Sequence, residues 1–283
     1  MNPLKIKVQD KATIVVLNCA FSWGTVTDKE ITDETTQAKG ATRGSLRVRK
    51  TLLPQASGVF VEAVRAITGE FYRWHSRKTY SSPIEGQRIM PVAFYMDYMQ
   101  QFGEAKAAAG AALAALMDGY VGAVEQAKAL LGASFKADDY PPVEELAHYL
   151  KFDVRFLPVP AGDHIMNALG AGVAAEVDAY VAEIMQAAAN DAKERLRKAV
   201  ARMAESLSKK DGKIYDSMTD NINELAKELP LIAGLADDPE LKVMIDEVKD
   251  TLAGYDADTF RDNKGARTQV GAAAMDILKR MGG

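Results

Sequence analysis

Cysteine is nearly absent from this sequence. The one thiol, Cys19, cannot form a disulfide within the chain, and the expected setting is a reducing one, the cytoplasm. Histidine is almost as scarce. His75, His148 and His164 never stand at i, i+4 spacing, which removes the helix-borne metal pair. Neither Gly-x-Gly-x-x-Gly nor Gly-x-Ser-x-Gly occurs, and the glycines of Gly40–Gly44 are not followed by the Gly-Lys-Ser/Thr of a phosphate loop. Gly170, Gly172 and Ala175 fit a looser dinucleotide pattern. They fall inside a helical stripe, where small residues serve close packing. The acidic run Asp256–Asp262 lacks the glycine and glutamate of a calcium loop and reads as a helix start. Also missing is any uninterrupted apolar stretch of roughly 18 residues, so no membrane span and no membrane partner are expected. The alanine-rich run Ala107–Met117 stops at Asp118. The first residues carry no apolar signal core, because Lys5, Lys7, Asp10 and Lys11 intervene.

These absences argue against most enzyme classes. No cofactor, no metal site and no catalytic residue is expected. Cys19 lies on the apolar face of a strand and reads as a small buried hydrophobe; it and His75 are the residual catalytic candidates. What is present is an ordinary apolar fraction of 48% and an uneven spread of charge. Residues 1–100 hold 14 Lys+Arg against 9 Asp+Glu, while the remainder holds 21 against 30. That asymmetry suits an N-terminal anion-binding face, head-to-tail self-association, or mere drift.

Hydrophobic periodicity predicts the elements. Residues 13–23 alternate as a strand, with Val15, Leu17, Cys19, Phe21 and Trp23 on one face. A short helix or loop spans 27–38, and Leu46–Lys50 suits a second strand or a basic arm. A helix runs from about Pro54 to Tyr72. Arg88–Phe94 is extended, and Pro91 argues for an edge strand. Two long stripes dominate. One joins Met99, Phe102, Ala105, Ala109, Leu113, Leu116, Tyr120, Val124, Ala127 and Leu131. The other starts after a cap at Asp163 and runs from Met166 and Leu169 through Val177, Tyr180, Ile184 and Leu196 to Leu207. Between them lie a short helix at Val143–Leu150 and a strand at Phe152–Leu157. The C-terminal helices end at Pro230, begin at Asp238-Pro239, and begin again at Asp258. The fold class is therefore α+β and predominantly α: a long antiparallel helical hairpin with a small sheet at one end and a C-terminal helical segment. The expected regions are 1–94, mixed and basic; 95–210, the hairpin, with a helix-strand insertion at 133–163; and 211–283, helical.

One cluster combines cations with aromatics. Arg43, Arg47, Arg49 and Lys50 precede the first long helix, and Arg73, Trp74, Arg77 and Lys78 close it. Cations neutralise phosphates and aromatic rings stack on unpaired bases, so these residues are the candidate face for single-stranded nucleic acid. The opposing reading is that Phe71 and Trp74 continue the core stripe from Phe60. A second basic run, Lys193–Arg202, is interleaved with glutamate and reads as a salt-bridged surface.

Leu17-Asn18-Cys19-Ala20-Phe21-Ser22-Trp23-Gly24, the helix through Phe71-Tyr72-Arg73 with the Arg88–Phe94 segment, and Phe260-Arg261-Asp262-Asn263 through Arg267 together resemble a family of uncharacterised proteins common in tailed-phage genomes. The resemblance implies a phage or prophage origin, hence the host cytoplasm. It transfers no catalytic residue. It also implies association with AAA+ ATPase and von Willebrand A-type genes, and so an adaptor role. The leading expectation is a non-enzymatic phage protein that self-associates through its long helices, in a ring or bundle. The alternatives are a single-stranded nucleic-acid binder and an adaptor for a phage AAA+ ATPase.

Overall fold

The computed structural model describes residues 8–53, 58–162, 170–209 and 212–282. In chain order these form β1 (Ala12–Phe21), β2 (Thr25–Thr27), α1 (Lys29–Ala38), β3 (Arg49–Thr51), α2 (Gly58–Lys78), β4 (Tyr80–Ser81) and β5 (Gln87–Pro91). There follow α3 (Tyr95–Leu131), β6 (Leu150–Pro158), α4 (Ala171–Ser208), α5 (Asp216–Ala236), α6 (Pro239–Thr251), α7 (Ala257–Asp262) and α8 (Lys264–Arg280). The fold is predominantly helical with a small sheet and long helices, as the periodicity predicts. The main sheet has the order β4-β5-β1-β6, with β1 and β5 antiparallel in the register Ala12↔Pro91 to Val16↔Gln87. A separate antiparallel ribbon pairs β2 with β3.

The chain divides into two compact units. The first contains Met1–Val16, Thr79–Tyr95 and Phe156–Gly283, and the second contains Leu17–Lys78 and Met96–Arg155. Strands β1 and β6 pass from one into the other. This is not the serial division at 94/95 and 210/211 that the sequence suggests. The two long helices, expected to form one hairpin region, fall in different units: all of α3 beyond Tyr95 lies in the second, and α4 lies in the first. An apolar stripe specifies that a helix is covered, but not by what.

In the first unit the α4 stripe is the core. Ile184, Ala188, Ala189, Ala192, Leu196, Val200 and Met203 are essentially inaccessible. All but Ile184, which packs with Ile14, Ile89, Val159 and Val181, meet Ile222, Leu229 and Ile232 of α5, Leu241, Ile245 and Val248 of α6, and Val270, Ala274 and Ile277 of α8. Gly271 allows α8 its close approach, since a Cβ there would stand 3.1 Å from Leu207 Cβ. The Arg267 guanidinium donates to the carbonyls of Leu207 (3.3 Å), Ser206 (3.2 Å) and Gly212 (3.1 Å), satisfying acceptors at the end of α4 that have no helical partner. The basic run on this helix is paired as expected: Glu194 takes Arg197 at 2.9 Å and Lys198 at 3.2 Å.

Strand β4 is fixed to α4 by one carboxylate. Asp191 accepts from the Ser81 N–H (2.8 Å), the Ser81 hydroxyl (2.9 Å) and Arg195 (2.8 Å), with Arg88 at 3.4 Å. The Arg195 guanidinium also lies 4.7 Å over the Tyr80 ring.

Several local expectations need correction. Helix α5 does not end at Pro230 but runs on to Ala236, because Ile232 and Ala233 are buried and their packing outweighs the hydrogen bond the proline removes. Strand β5 is flanked by β4 and β1 rather than at an edge; Pro91 is tolerated as its last residue. Gly170 precedes α4, with φ of 87°, rather than lying within the helix. Asp258 caps nothing: Asp256 caps α7 through the Thr259 N–H (2.7 Å), and Asn263 caps α8 through the Ala266 N–H (3.0 Å). Asp238 does cap α6, accepting from Leu241 at 2.8 Å. The readings placed on Pro54, Asp163, His164, Met166 and Leu169 lie outside the described residues.

Burial pushes the Asp191 carboxyl up, but the hydrogen bonds from Arg195 and Ser81 prevail and hold it below the ordinary carboxylate range. A lowered folded-state pKa stabilises the protein above the ordinary value near 3.8, and that contribution is lost as pH falls through the folded value. Asp191→Asn is therefore expected to be less stable than the parent at pH 6 by about 1–3 kcal/mol in urea unfolding. The gap should close progressively below pH 4; a gap independent of pH would contradict the assignment.

Candidate functional site

In the second unit residues of α2 and α3 share one hydrophobic cluster with Trp23. Phe21, Trp23, Leu52, Leu53, Val61 and Val64 enclose one side of Leu113, Leu116, Tyr120, Ala123 and Ala127. The Trp23 ring meets Tyr120 edge-on at 5.6 Å and donates to the Asp139 carbonyl at 3.2 Å. A second aromatic group lies further along the same helices. Phe71 contacts Trp74 (5.5 Å, stacked), Tyr98, Phe102 and Phe152.

The eight residues proposed for nucleic acid do not form one face. Arg43, Arg47 and Arg49 are exposed on the segment after α1, and Arg73 and Arg77 are exposed on α2. Lys50 is buried. Its ammonium stands 2.8 Å from Asp139 and 3.9 Å from Asp28, and donates to the Ser134 carbonyl at 2.6 Å. It locks the ribbon to the segment after α3 and has no charge to spare for a phosphate. Trp74 is half-buried, stacked on Phe71 and 5.3 Å from Tyr98, so its ring belongs to the interior rather than to a base-stacking surface. Lys78 is partly buried at the end of α2. The ribbon packs near the start of α2, where a Cβ on Gly24 would meet Val61 at 2.6 Å and Arg65 donates to the Trp23 carbonyl at 2.8 Å. Arg73 and Arg77 lie roughly 18 and 24 Å further along the helix axis, at 1.5 Å per residue. Nor does the charge asymmetry of the linear sequence survive folding: the second unit contains 15 Lys+Arg and 15 Asp+Glu, the first 20 and 24.

Both residual catalytic candidates lie in the second unit, each with an internal hydrogen-bond partner. His75 is buried, with Nδ1 2.7 Å from the Tyr98 hydroxyl. Cys19 is half-buried and its Sγ donates to the Thr68 carbonyl at 3.4 Å. Burial pushes the thiol up to about 11, so near neutral pH it stays protonated and poorly nucleophilic. Among the described residues no three His, Cys, Asp or Glu side chains converge as a metal site.

The feature the periodicity did not expose is the far side of α3. The seam Phe102, Ala109, Leu113, Leu116, Tyr120 and Ala127, which looks suited to a partner helix, is buried within its own unit. The opposite face is open. Ala107, Ala108, Ala111, Ala114 and Ala115 are exposed, with Gly103, Gly119 and Gly122 continuing the stripe and Met96 and Val121 protruding at 77% and 71% exposure. Contrary to the expectation of no candidate span, the helical stretch Val92–Ser134 is long and apolar enough, by length and composition, to cross a membrane; only 28% of its most apolar 18-residue window is buried. The available signal was Gly and Ala recurring at i, i+4: Gly103, Ala107, Ala111, Ala115, Gly119.

No family model, curated protein sequence or solved structure matches this chain.

Two outcomes are expected. Lys50→Met leaves Asp28 and Asp139 facing each other without their cation and should destabilise the protein by about 3 kcal/mol. It should also lower the midpoint of thermal unfolding followed by circular dichroism; an unchanged midpoint would mean the ammonium is not an internal tie. Iodoacetamide should modify Cys19 at pH 7.5 at least tenfold more slowly in the folded protein than in 6 M guanidinium. The folded-state rate should climb with pH towards 11, and equal rates at pH 7.5 would contradict the protected thiol.

Proposed function

We propose that this protein is a non-enzymatic assembly protein whose copies associate through the open face of α3. The observation that carries the reading is an apolar helix whose inner side is satisfied within its own unit and whose outer side is left to solvent. A contiguous apolar surface of this kind marks an interaction site. Alanine and glycine let two helix backbones approach closely, and that approach maximises dispersion contacts along the helix. The stretch Ala107–Met117 has no charged or hydrogen-bonding side chain with which to select a foreign surface. A like face from a second copy is the natural complement, and symmetric association is the commonest arrangement. Lipid is a poorer complement. The exposed residues are chiefly alanine and glycine rather than leucine, isoleucine or phenylalanine, and Asp118 interrupts the face.

Sedimentation velocity at micromolar concentration is expected to show a species larger than 30.7 kDa. Replacing Ala111 and Ala115 together by glutamate should raise the dissociation constant at least tenfold with unchanged helical content, since both side chains point to solvent. A wild-type monomer would overturn the reading. Co-flotation of the wild type with phosphatidylcholine vesicles, lost in the double variant, would overturn it too, because the face would then meet lipid.

A further inference from the structure

The first unit holds a cleft that the assembly reading does not use. Its floor is a stretch of α5 on which Pro230 and Gly234 stand one turn apart, flanked by Leu231 and Leu235. The facing wall is the turn out of β5, Pro91-Val92-Ala93, and Val8 closes one end. The volume is about 780 Å³, within the range of ~300–1,000 Å³ typical of sites for small organic molecules. The concavity comes from the floor residues. A glycine has no side chain to fill it, and a Cβ added at Gly234 would meet nothing within 4 Å. Two large apolar side chains on its walls, Val92 (44% exposed) and Leu231 (40% exposed), are left facing water. All these residues belong to one unit.

The polar groups restrict the ligand. The described residues that line the cleft bring two carboxylates, Asp10 and Asp237, and one ammonium, Lys11. Asp237 ends α5 in the left-handed conformation, φ 48°, the one non-glycine residue so placed among those described, and it is paired with Lys242 at 3.1 Å. Asp10, exposed at the mouth, is then the carboxylate available to a ligand. Among the described residues that line the space there is no aromatic ring and no arginine, so these residues offer neither the stacking surface nor the bidentate donors that suit a nucleotide or phosphate.

From the apolar walls and the exposed Asp10 carboxylate we infer that this cleft binds a drug-sized organic cation, an apolar amine whose ammonium pairs with Asp10 and whose body lies along Pro230 and Gly234. The probe is dansylcadaverine, an aryl group on an alkylamine, followed by fluorescence, with anionic anilinonaphthalene sulfonate as the control of opposite charge. The amine should bind saturably with a micromolar dissociation constant and at least fivefold more tightly than the anion. Asp10→Asn should weaken it about fivefold. Gly234→Leu fills the floor and should abolish binding while leaving the unfolding midpoint unchanged or raised, because leucine is the better helix former. Val92→Arg, at an exposed wall position, should repel the amine independently of any change to α5. Absence of saturable binding, equal affinity for the anion, or binding that survives both Gly234→Leu and Val92→Arg would overturn the inference. The Ala111 and Ala115 variants lie in the other unit and should bind the amine as the parent does, so the two readings fail separately.

Discussion

A helix nearly forty residues long exposes side chains in every direction over more than 50 Å, and which of those directions is covered governs the rest of this protein. Helix α4 is covered widely. Its buried residues include neighbours in sequence, Ile184 with Met185, Ala188 with Ala189, Ala199 with Val200, so that more than one face is turned inwards. Helix α3 is covered narrowly. Its buried positions, from Tyr98 to Ala127, fall almost wholly at intervals of three, four and seven residues, which is one side of a helix. The two helices have similar lengths and similar alanine content, yet one is a core and the other is half a surface.

The cover on α4 is possible because its side chains are small where other helices cross. Ala188, Ala192, Ala199 and Ala204 let α5 and α8 approach, and Gly271 does the same from the opposite side. Arg267 then ties the end of α4 to the start of α8 through backbone carbonyls rather than through a carboxylate. At the other unit the equivalent tie is ionic and internal: Lys50 between Asp28 and Asp139. Asp28 also caps α1 through the Ile31 N–H at 3.2 Å. One buried ammonium thus holds a helix start, a strand and the segment following α3 in register.

The candidate chemistry looks different once these ties are recognised. Lysine and tryptophan in a basic, aromatic stretch carry the same letters whether they face a nucleic acid or a core. Lys50 and Trp74 face the core. The exposed arginines that remain are divided between the segment from α1 to β3 and the last turns of α2. Cys19 and His75, the sequence's candidates for reactivity, are spent on internal hydrogen bonds to Thr68 and Tyr98. Two apolar features are left to solvent: the alanine and glycine face of α3, and the cleft floored by Pro230 and Gly234.

Periodicity determined the helices and strands nearly to the residue where one face is apolar throughout, as with Tyr95–Leu131 and the alternation through Val15, Leu17 and Phe21. It also determined the capping of α6 by Asp238, because capping is settled within four residues. It misplaced what depends on distant packing, the passage of α5 through Pro230 and the interior position of β5, and it also missed the break at Asn263 that gives α7 and α8 separate local caps. Only the tertiary structure decided that α3 and α4 belong to different units, which buried cations are ties, and which side of α3 is free. The reason is physical. A stripe of apolar residues states that burial is favourable without naming the partner, and a charge reveals its role only when the groups opposite it are in place.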